Sequence, residues 1–109
     1  MKVMIMVKEN AGLDSRLDSR FGRAAYFLVY DTEKEKVLSI DENTFKNEDS
    51  GVGIKTGAFV IEKGCRAVIG AHSGPRVSEI LREANVKMIA ETEGTVREVL
   101  ERYKNQLTG

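Results

Sequence analysis

Residues 66–75 run Arg66-Ala67-Val68-Ile69-Gly70-Ala71-His72-Ser73-Gly74-Pro75, and they join a short apolar strand to a helix. The run 67–69 has the apolar character of a buried strand, and Pro75 suits the first position of a helix. That helix continues through apolar residues at helical spacing: Val77, Ile80, Leu81 and Ala84. A strand-to-helix joint gathers free backbone N–H groups, so it favours an anion beside the helix start.

The rest of the chain supplies four more strands and two more helices. Residues 2–7 are almost continuously apolar, which predicts a central strand covered on both faces. Residues 26–30 and 36–40 predict an antiparallel hairpin. Gly51-Val52-Gly53 opens a predicted helix that ends at Gly64, and the chain closes with a strand at 86–89 and a helix over about 95–107. The inward side of the helix after Gly53 is predicted to comprise Ile54, Ala58, Phe59 and Ile61.

Alternation of strand and helix in the second half of the chain predicts parallel strands with crossover helices. Right-handed crossovers place the late strands beside the first strand, and the hairpin extends the other side of the sheet. The predicted fold is therefore an α/β three-layer sandwich with a mixed five-stranded sheet. At 109 residues, the chain is long enough for a single domain, residues 1–109.

Two connections carry no regular pattern. Residues 8–23 contain the tandem tetrapeptide Leu13-Asp14-Ser15-Arg16, Leu17-Asp18-Ser19-Arg20. Two copies are too few for a repeat architecture, so the segment is predicted to be a polar loop with Leu17 and Phe21 packed against the core. Residues 41–50 are charged and aperiodic, which predicts a mobile connection.

Composition excludes several classes of function. The 17 basic and 17 acidic residues cancel, and no basic face stands out, so nucleic-acid binding lacks its electrostatic footprint. A single Cys cannot form an internal disulfide, and the apolar start is too short for a signal peptide or a membrane span. We therefore expect a soluble cytoplasmic protein without a membrane partner. The wealth of Lys, Glu and Arg beside one Gln is typical of a thermophile.

His72 is the candidate metal ligand, because the predicted topology places it at the sheet edge where ligands favour the crevice. Ser73 is expected to cap the helix, and the amides near Gly74 and Arg76 are expected to bind an anion. The simpler alternative is a capped joint with an incidental surface His. Cys65 lies at the far end of the same strand, on the order of 20 Å away, so the two cannot share one metal ion within a monomer.

Two other turns are candidates for cofactor binding. In the segment 91–95, Thr92 or Thr95 can cap the last helix, and Gly94 allows a close approach of the backbone to a ligand. Gly51 and Gly53 open the first helix but match neither a P-loop nor a dinucleotide fingerprint. An ordinary helix start is the alternative in both turns. Met4 and Met6 are expected to be core residues.

Catalysis has little support in the sequence. Ser73 beside His72 is not a catalytic dyad, because neighbours on a tight turn point apart. Metal-assisted cleavage of a phosphodiester needs carboxylates on the central strand, where this chain has Met4, Ile5 and Met6. We therefore predict that the protein is not an enzyme, although a subunit interface could complete a hydrolase site.

An ordered series of short motifs resembles a known family. The motifs are Phe21-Gly22-Arg23-Ala24, Tyr26-Phe27, Asp31, Gly51-x-Gly53, Gly74-Pro75 and Glu93-Gly94-Thr95-Val96. Together they resemble the dinitrogenase iron-molybdenum cofactor biosynthesis family, the NifX-like and NifB-tail domains. The resemblance implies a ribonuclease-H-like α/β fold. Members often carry His before the Gly-x-Gly helix, where this chain has Lys46-Asn47-Glu48-Asp49-Ser50.

The resemblance also implies a function. It predicts a non-catalytic carrier of an anionic iron-sulfur cluster or iron-molybdenum cofactor precursor, with metal-cluster assembly proteins as partners. The residues predicted to contact the cluster are His72, Ser73, Gly74, Arg76, Gly51, Gly53, Thr92 and Gly94. The alternative is a small regulatory or interaction domain that binds a phosphate-bearing metabolite or a partner protein. The oligomeric state, the metal and the pathway stay open.

Overall fold

The apolar run near the start of the chain forms the central strand of a five-stranded sheet. In a computed structural model, which describes residues 1–108, the strand order is β3-β2-β1-β4-β5. The first strand is buried from Val3 to Val7, as its unbroken apolar sequence predicts. The strands are β1 (Lys2–Val7), β2 (Tyr26–Asp31), β3 (Lys36–Glu42), β4 (Ala67–Gly70) and β5 (Lys87–Ala90).

The hairpin and the crossovers give the sheet two halves of different type. β1, β2 and β3 pair antiparallel, with Met6 opposite Phe27 and Leu28 opposite Ile40. β1, β4 and β5 pair parallel, as the crossover rule predicts. The predicted mixed sheet is confirmed.

Helices cover both faces of the sheet. They are α1 (Val52–Glu62), α2 (Pro75–Glu83) and α3 (Val96–Arg102), and short 3-10 turns span Gly12–Asp14 and Lys104–Gln106. α1 and α2 lie on one face, over a core that includes Met4, Met6 and Phe27. α3 lies on the other face, over Ile5 and Leu28. The predicted three-layer sandwich is therefore confirmed, and Met4 and Met6 are core residues.

Element boundaries differ from the predictions by one to several residues. β2 extends to Asp31 and β3 to Glu42, so the first two residues of the predicted mobile connection belong to the sheet. β5 begins at Lys87 rather than at Val86. α3 ends at Arg102, because the chain then tightens into the 3-10 turn. Such shifts are usual at element ends, where hydrogen bonding frays.

The predicted inward face of α1 is wrong for Ile54, Ala58 and Ile61 and confirmed for Phe59, which packs against the core. Ile54 and Ile61 are 39% and 40% exposed, and Ala58 is exposed as well. The buried residues are Thr56, Gly57 and Val60. The physical reason is the neighbouring helix: a Cβ built on Gly57 lies 3.4 Å from the Val77 side chain of α2. α1 and α2 contact each other at Gly57, so this side of α1 faces inward and the side that carries Ile54 and Ile61 faces outward. Phe59 is partly buried and contacts Phe27 in a tilted arrangement, with 5.3 Å between ring centroids.

Candidate functional site

The carboxyl ends of the three parallel strands meet at one edge of the sheet. β1 ends at Val7, β4 at Gly70 and β5 at Ala90. The loop after β4 leads into α2, and the loop after β5 leads into α3. β3 runs parallel to β1, so α1 also begins at this edge. The edge therefore collects three helix starts, which is the arrangement where α/β sheets bind ligands.

A cavity of about 220 Å³ opens beside His72. The imidazole is exposed and lies where β4 turns into α2. Most of the wall is apolar, and two serines add hydroxyl groups. The lining consists of Phe21, Val68, Gly70, Ala71, His72, Ser73, Ser78, Met88, Ile89 and Ala90.

Of the lining residues, only His72 and Ser73 were predicted from the sequence as site residues, and Phe21 and Met88 are the largest side chains among the others. Met88 lies on the edge strand β5, opposite Val68 of β4. It is 36% exposed because no further strand follows β5 in the sheet. Phe21 reaches the cavity from the loop before β2, and its ring lies 3.7 Å from a Cβ built on Gly70. The Phe-Gly-Arg motif could have identified Phe21 as a site residue. Nothing in the sequence indicates that a Met on a four-residue strand is exposed beside a cavity.

The start of α2 has no side-chain cap. Gly74 is the N-cap residue, and no side chain accepts a hydrogen bond from the first turn. The expectation that Ser73 caps this helix is therefore wrong, because the N-cap position falls one residue later, at Gly74, which has no side chain. Ser73 Oγ instead lies 3.1 Å from Ser78 Oγ. Arg76 is exposed in the first turn, and no acidic residue occupies that turn.

The start of α1 is uncapped in the same way. Its N-cap residue Gly51 has φ +78°, a left-handed conformation that favours glycine, and no side chain caps the helix. A Cβ built on Gly53 lies 3.2 Å from the Val77 side chain, so this glycine allows close packing against α2. The structure therefore brings the first turns of α1 and α2 together on one face of the sheet.

The Phe21-Gly22 segment lies between the two helix starts. Gly22 touches the backbone of Val52 and Gly53, at 3.1 Å from its built Cβ, while Phe21 covers Gly70. Asn43, which is buried, donates hydrogen bonds to the carbonyl groups of Gly22 and Ala24 at 2.9 and 2.8 Å. A larger residue at position 22 would push the loop away from α1.

Asp18 fixes the other end of this loop. Its carboxylate is buried and accepts hydrogen bonds from the side chain of Arg20 at 3.0 Å and from the amides of Arg20 and Ala25. Burial acts to raise the pKa of Asp18, but these hydrogen bonds outweigh it and hold the pKa below its usual value. Leu17 is also buried, which confirms its predicted packing. The tandem tetrapeptide is thus an anchored turn.

The turn after β5 already holds a carboxylate. Glu91 accepts hydrogen bonds from the Tyr103 hydroxyl at 2.8 Å and from the amides of Thr92 and Glu93. The Tyr103 hydrogen bond and the amides lower the pKa of Glu91. Binding an added anion at the Thr92 amide would therefore require Glu91 to move.

α3 differs from the other helices because its start is capped. Thr95 and Glu98 form a capping box, with the Thr95 amide donating to Glu98 Oε1 at 2.9 Å and the Glu98 amide donating to Thr95 Oγ1 at 3.2 Å. This confirms Thr95 as the cap. The Gly94 carbonyl accepts a hydrogen bond from the Leu17 amide at 3.0 Å. The first turn of α3 is satisfied by the protein itself.

The residues around His72 do not form a metal-binding set of their own. Within residues 1–108, no three His, Cys, Asp or Glu side chains come close enough to share a metal ion. Cys65 precedes β4 and His72 follows it, so they lie at opposite ends of the strand. The thiol is 2% exposed, and burial raises its pKa to about 11, which disfavours the thiolate that binds metals. His72 can thus supply one ligand beside two uncapped helix starts.

Comparison with known proteins identifies the family. The profile of the dinitrogenase iron-molybdenum cofactor family matches residues 1–106. The chain belongs to this family. Its members are associated by name with the nitrogenase cofactor, which supports a cofactor-binding or carrier role for the fold. A search of curated proteins found no match.

Solved structures of similar proteins share this family's fold. The apo form of the orange protein from Desulfovibrio gigas is 27% identical, with a TM-score of 0.86 over 96% of this chain and 88% of that one. A NifB-like protein from Thermotoga is 33% identical, with a TM-score of 0.78 over 95% of this chain and 87% of that one. Among residues 1–108 of this chain, no helix is long and apolar enough to span a membrane.

Proposed function

We propose that the protein carries a preassembled anionic iron-sulfur cluster, of the kind used as a precursor of the nitrogenase cofactor. One observation carries the proposal: the first turns of α1 and α2 lack side-chain caps and open at the same edge as His72, whereas α3 is capped internally. Free amides and helix dipoles favour a negatively charged ligand there. Membership of the cofactor family supports the same conclusion.

The ligand set favours a carrier over a resident metal centre. With one imidazole, and with no group of three His, Cys, Asp or Glu side chains placed to hold a metal ion among residues 1–108, the protein does not supply a cluster's full coordination shell. The cluster must therefore bring its own sulfide and other ligands. The apolar wall beside Phe21 and Met88 suits the weakly hydrated surface of such a cluster. His72 would occupy an exchangeable position, and Ser73, Gly74, Arg76, Gly51 and Gly53 would surround the anion.

The contributions of Thr92 and Gly94 stay predictions of the same proposal. Metal-cluster assembly proteins are the proposed partners, and the cytoplasm is the proposed compartment, because Cys65 is a free buried thiol. Nucleic acid is not a proposed partner, since the formal net charge is zero. No catalytic step is proposed.

The test is an anaerobic titration of the protein with iron-molybdenum cofactor or a reconstituted iron-sulfur cluster. We expect a saturable chromophore on the protein, and we expect His72→Ala to weaken binding about tenfold or to shift the spectrum by loss of one ligand. Arg66→Ala, an exposed site at the opposite edge of the sheet, is the matched control and should leave binding unchanged. The absence of a chromophore, or one that His72→Ala leaves unaltered, would contradict the proposal.

A second candidate is a regulatory domain that binds a phosphate-bearing metabolite at the same edge. The uncapped helix starts and the exposed Arg76 suit phosphate as well. Nucleotides and sugar phosphates should then raise the melting temperature, because a ligand selective for the folded state stabilises it. A flat response together with saturable cluster binding favours the carrier.

A further inference from the structure

The outward face of α1 carries an apolar stripe that is exposed to solvent. Among residues 1–108, the exposed large apolar side chains are Leu38, Ile54, Ile61 and Met88, so two of the four lie on α1. Ala58 is exposed as well and completes the spacing i, i+4 and i+7 with the two isoleucines. This spacing places the three residues, the α1 stripe, on one side of the helix.

Two charged residues border the α1 stripe. Because successive residues of a helix are about 100° apart, Ile54 and Ile61 lie about 40–60° to one side of Ala58. Lys55 and Glu62, which are both exposed, lie at about the same angles on the other side. The outward face is thus apolar on one flank and charged on the other, with the cation toward the helix start and the anion toward its end.

This face is complementary to itself when two α1 helices pair antiparallel about a two-fold axis at Ala58. Such an axis brings the same flank of both helices together. With a rise of 1.5 Å per residue, Ile54 then lies within about 2 Å of the level of Ile61 of the second copy. Lys55 lies equally close to the level of Glu62 of the second copy. A parallel pair would instead place the isoleucines of one helix against the charged flank of the other.

The ion pair that Lys55 makes within one copy is compatible with this arrangement. Its partner is Glu48 in the connection before α1, and the two side chains are 51% and 42% exposed. An exposed pair contributes little to stability, and an ammonium group has three donors, so Lys55 can also bind the carboxylate of a second copy. Glu62 takes part in none of the ion pairs among residues 1–108, so its carboxylate is available.

The size of this face limits the strength of the contact. α1 has 11 residues and is about 16 Å long, so pairing buries much less than the roughly 800 Å² per copy of a standard interface. We propose that α1 pairs with α1 of a second copy of this chain in a weak, reversible, antiparallel dimer. The small side chain of Ala58 at the crossing point allows the helix axes to approach closely.

The dimer leaves the candidate site of each copy open. α1 begins at the edge of the sheet that holds His72, so antiparallel pairing directs the two sites to opposite ends of the helix pair. The inference does not depend on the proposed function.

Sedimentation equilibrium of the full chain, from about 10 μM to about 2 mM, tests the proposal in the range of weak dissociation constants. We expect the average mass to rise with concentration. Ile61→Glu should weaken association about tenfold or more, because it places carboxylates in the apolar flank. Leu38→Glu, on β3, is the matched control, because the two side chains are 38% and 40% exposed, and it should associate as the parent does.

Charge reversal tests the antiparallel register. Lys55→Glu should weaken association several-fold, because it then faces Glu62 of the second copy, and adding Glu62→Lys in the same chain should restore association. A single melting transition for each variant verifies that it is folded. The proposal is overturned if the mass stays that of a monomer at the highest concentration, if Ile61→Glu and Leu38→Glu have equal effects, or if the double reversal associates no better than Lys55→Glu alone.

Discussion

At the scale of single residues, Gly70 is where the core meets the candidate site. It ends β4 between Met6 below and Phe21 above, and a Cβ built on it lies 2.8 Å from Met6 Cγ. Real Cβ atoms do not approach another carbon so closely, so any side chain at this position displaces its neighbours. The glycine thereby lets Phe21 close over the strand end and line the cavity.

Gly70→Ala should therefore destabilise the protein by about 1–3 kcal/mol, as overpacking of a filled core does. Urea unfolding followed by circular dichroism measures the change. In the Met6→Ala background the same substitution should cost markedly less, because the clashing side chain has been removed. Equal costs in both backgrounds would show that Met6 is not the obstacle.

Asp18 gives the second prediction at this scale. Its pKa is lowered in the folded state, so its contribution to stability is complete above about pH 4, the unfolded value. That contribution is lost as the pH falls through the folded pKa. Asp18→Asn should cost about 1–3 kcal/mol at pH 7 and should flatten the loss of stability below pH 4. Unfolding free energies from pH 2.5 to 7 test this, with exposed Asp14→Asn as the control.

At the scale of elements, the three helix starts differ in how their amides are satisfied. Thr95 and Glu98 cap the first turn of α3, whereas no side chain caps the first turn of α1 or α2. The sequence left Thr92 and Thr95 as alternative caps for α3, of which Thr95 is the cap, and it predicted the wrong cap at Ser73. Thr95 and Ser73 are both hydroxyl residues just before a helix. They differ because Thr95 occupies the N-cap position itself, whereas in α2 that position is taken by Gly74.

Thr95→Ala should lower the free energy of unfolding by about 1 kcal/mol, because it removes half of a capping box. Ser73→Ala should cost no more than about 0.5 kcal/mol, since its hydroxyl contacts only Ser78 and caps no helix. Chemical denaturation of both variants under one condition compares them directly. A larger loss for Ser73→Ala than for Thr95→Ala would contradict this assignment of caps.

Most elements were predictable because their patterns are local. Apolar runs, glycine punctuation and one Pro place the strands and helices within one to several residues. The inward face of α1 was not predictable, because the contact of Gly57 with Val77 depends on a neighbour from another element. The predicted strand order placed His72 and Ser73 at the edge of the sheet where the cavity lies. Met88 was missed because exposure at a sheet edge is a property of the assembled sheet.

At the scale of the whole molecule, the layers bury the one thiol of the described chain against the α1 and α2 core. The pKa of Cys65 is about 11 and its side chain is 2% exposed, so reaction requires a large opening of the fold. At pH 8, a disulfide reagent should label native protein on the order of 100-fold more slowly than free cysteine. Urea should abolish this protection.

A thiol placed on the surface is the control for that measurement. Ser19→Cys in a Cys65→Ala background introduces an exposed thiol on the loop before β2 and should react at nearly the rate of free cysteine. Rapid labelling of native Cys65 would mean that the strand end beside α1 opens readily. Because the thiol lies at the end of β4 opposite His72, Cys65→Ala should leave cluster binding unchanged.

The position of β1 at the centre of the sheet has a consequence for the order of folding. Met6 pairs with Phe27 of the neighbouring strand β2, whereas Val3 must wait for Ala67 of β4, which is synthesised later. At ~5–20 residues per second, synthesis separates the two pairings by about 2 to 8 seconds. During that interval the nascent chain presents an apolar strand with one unsatisfied edge. The open edge of β1 therefore needs protection while the chain is on the ribosome, and in refolding the long-range pairing of β1 with β4 should limit the rate.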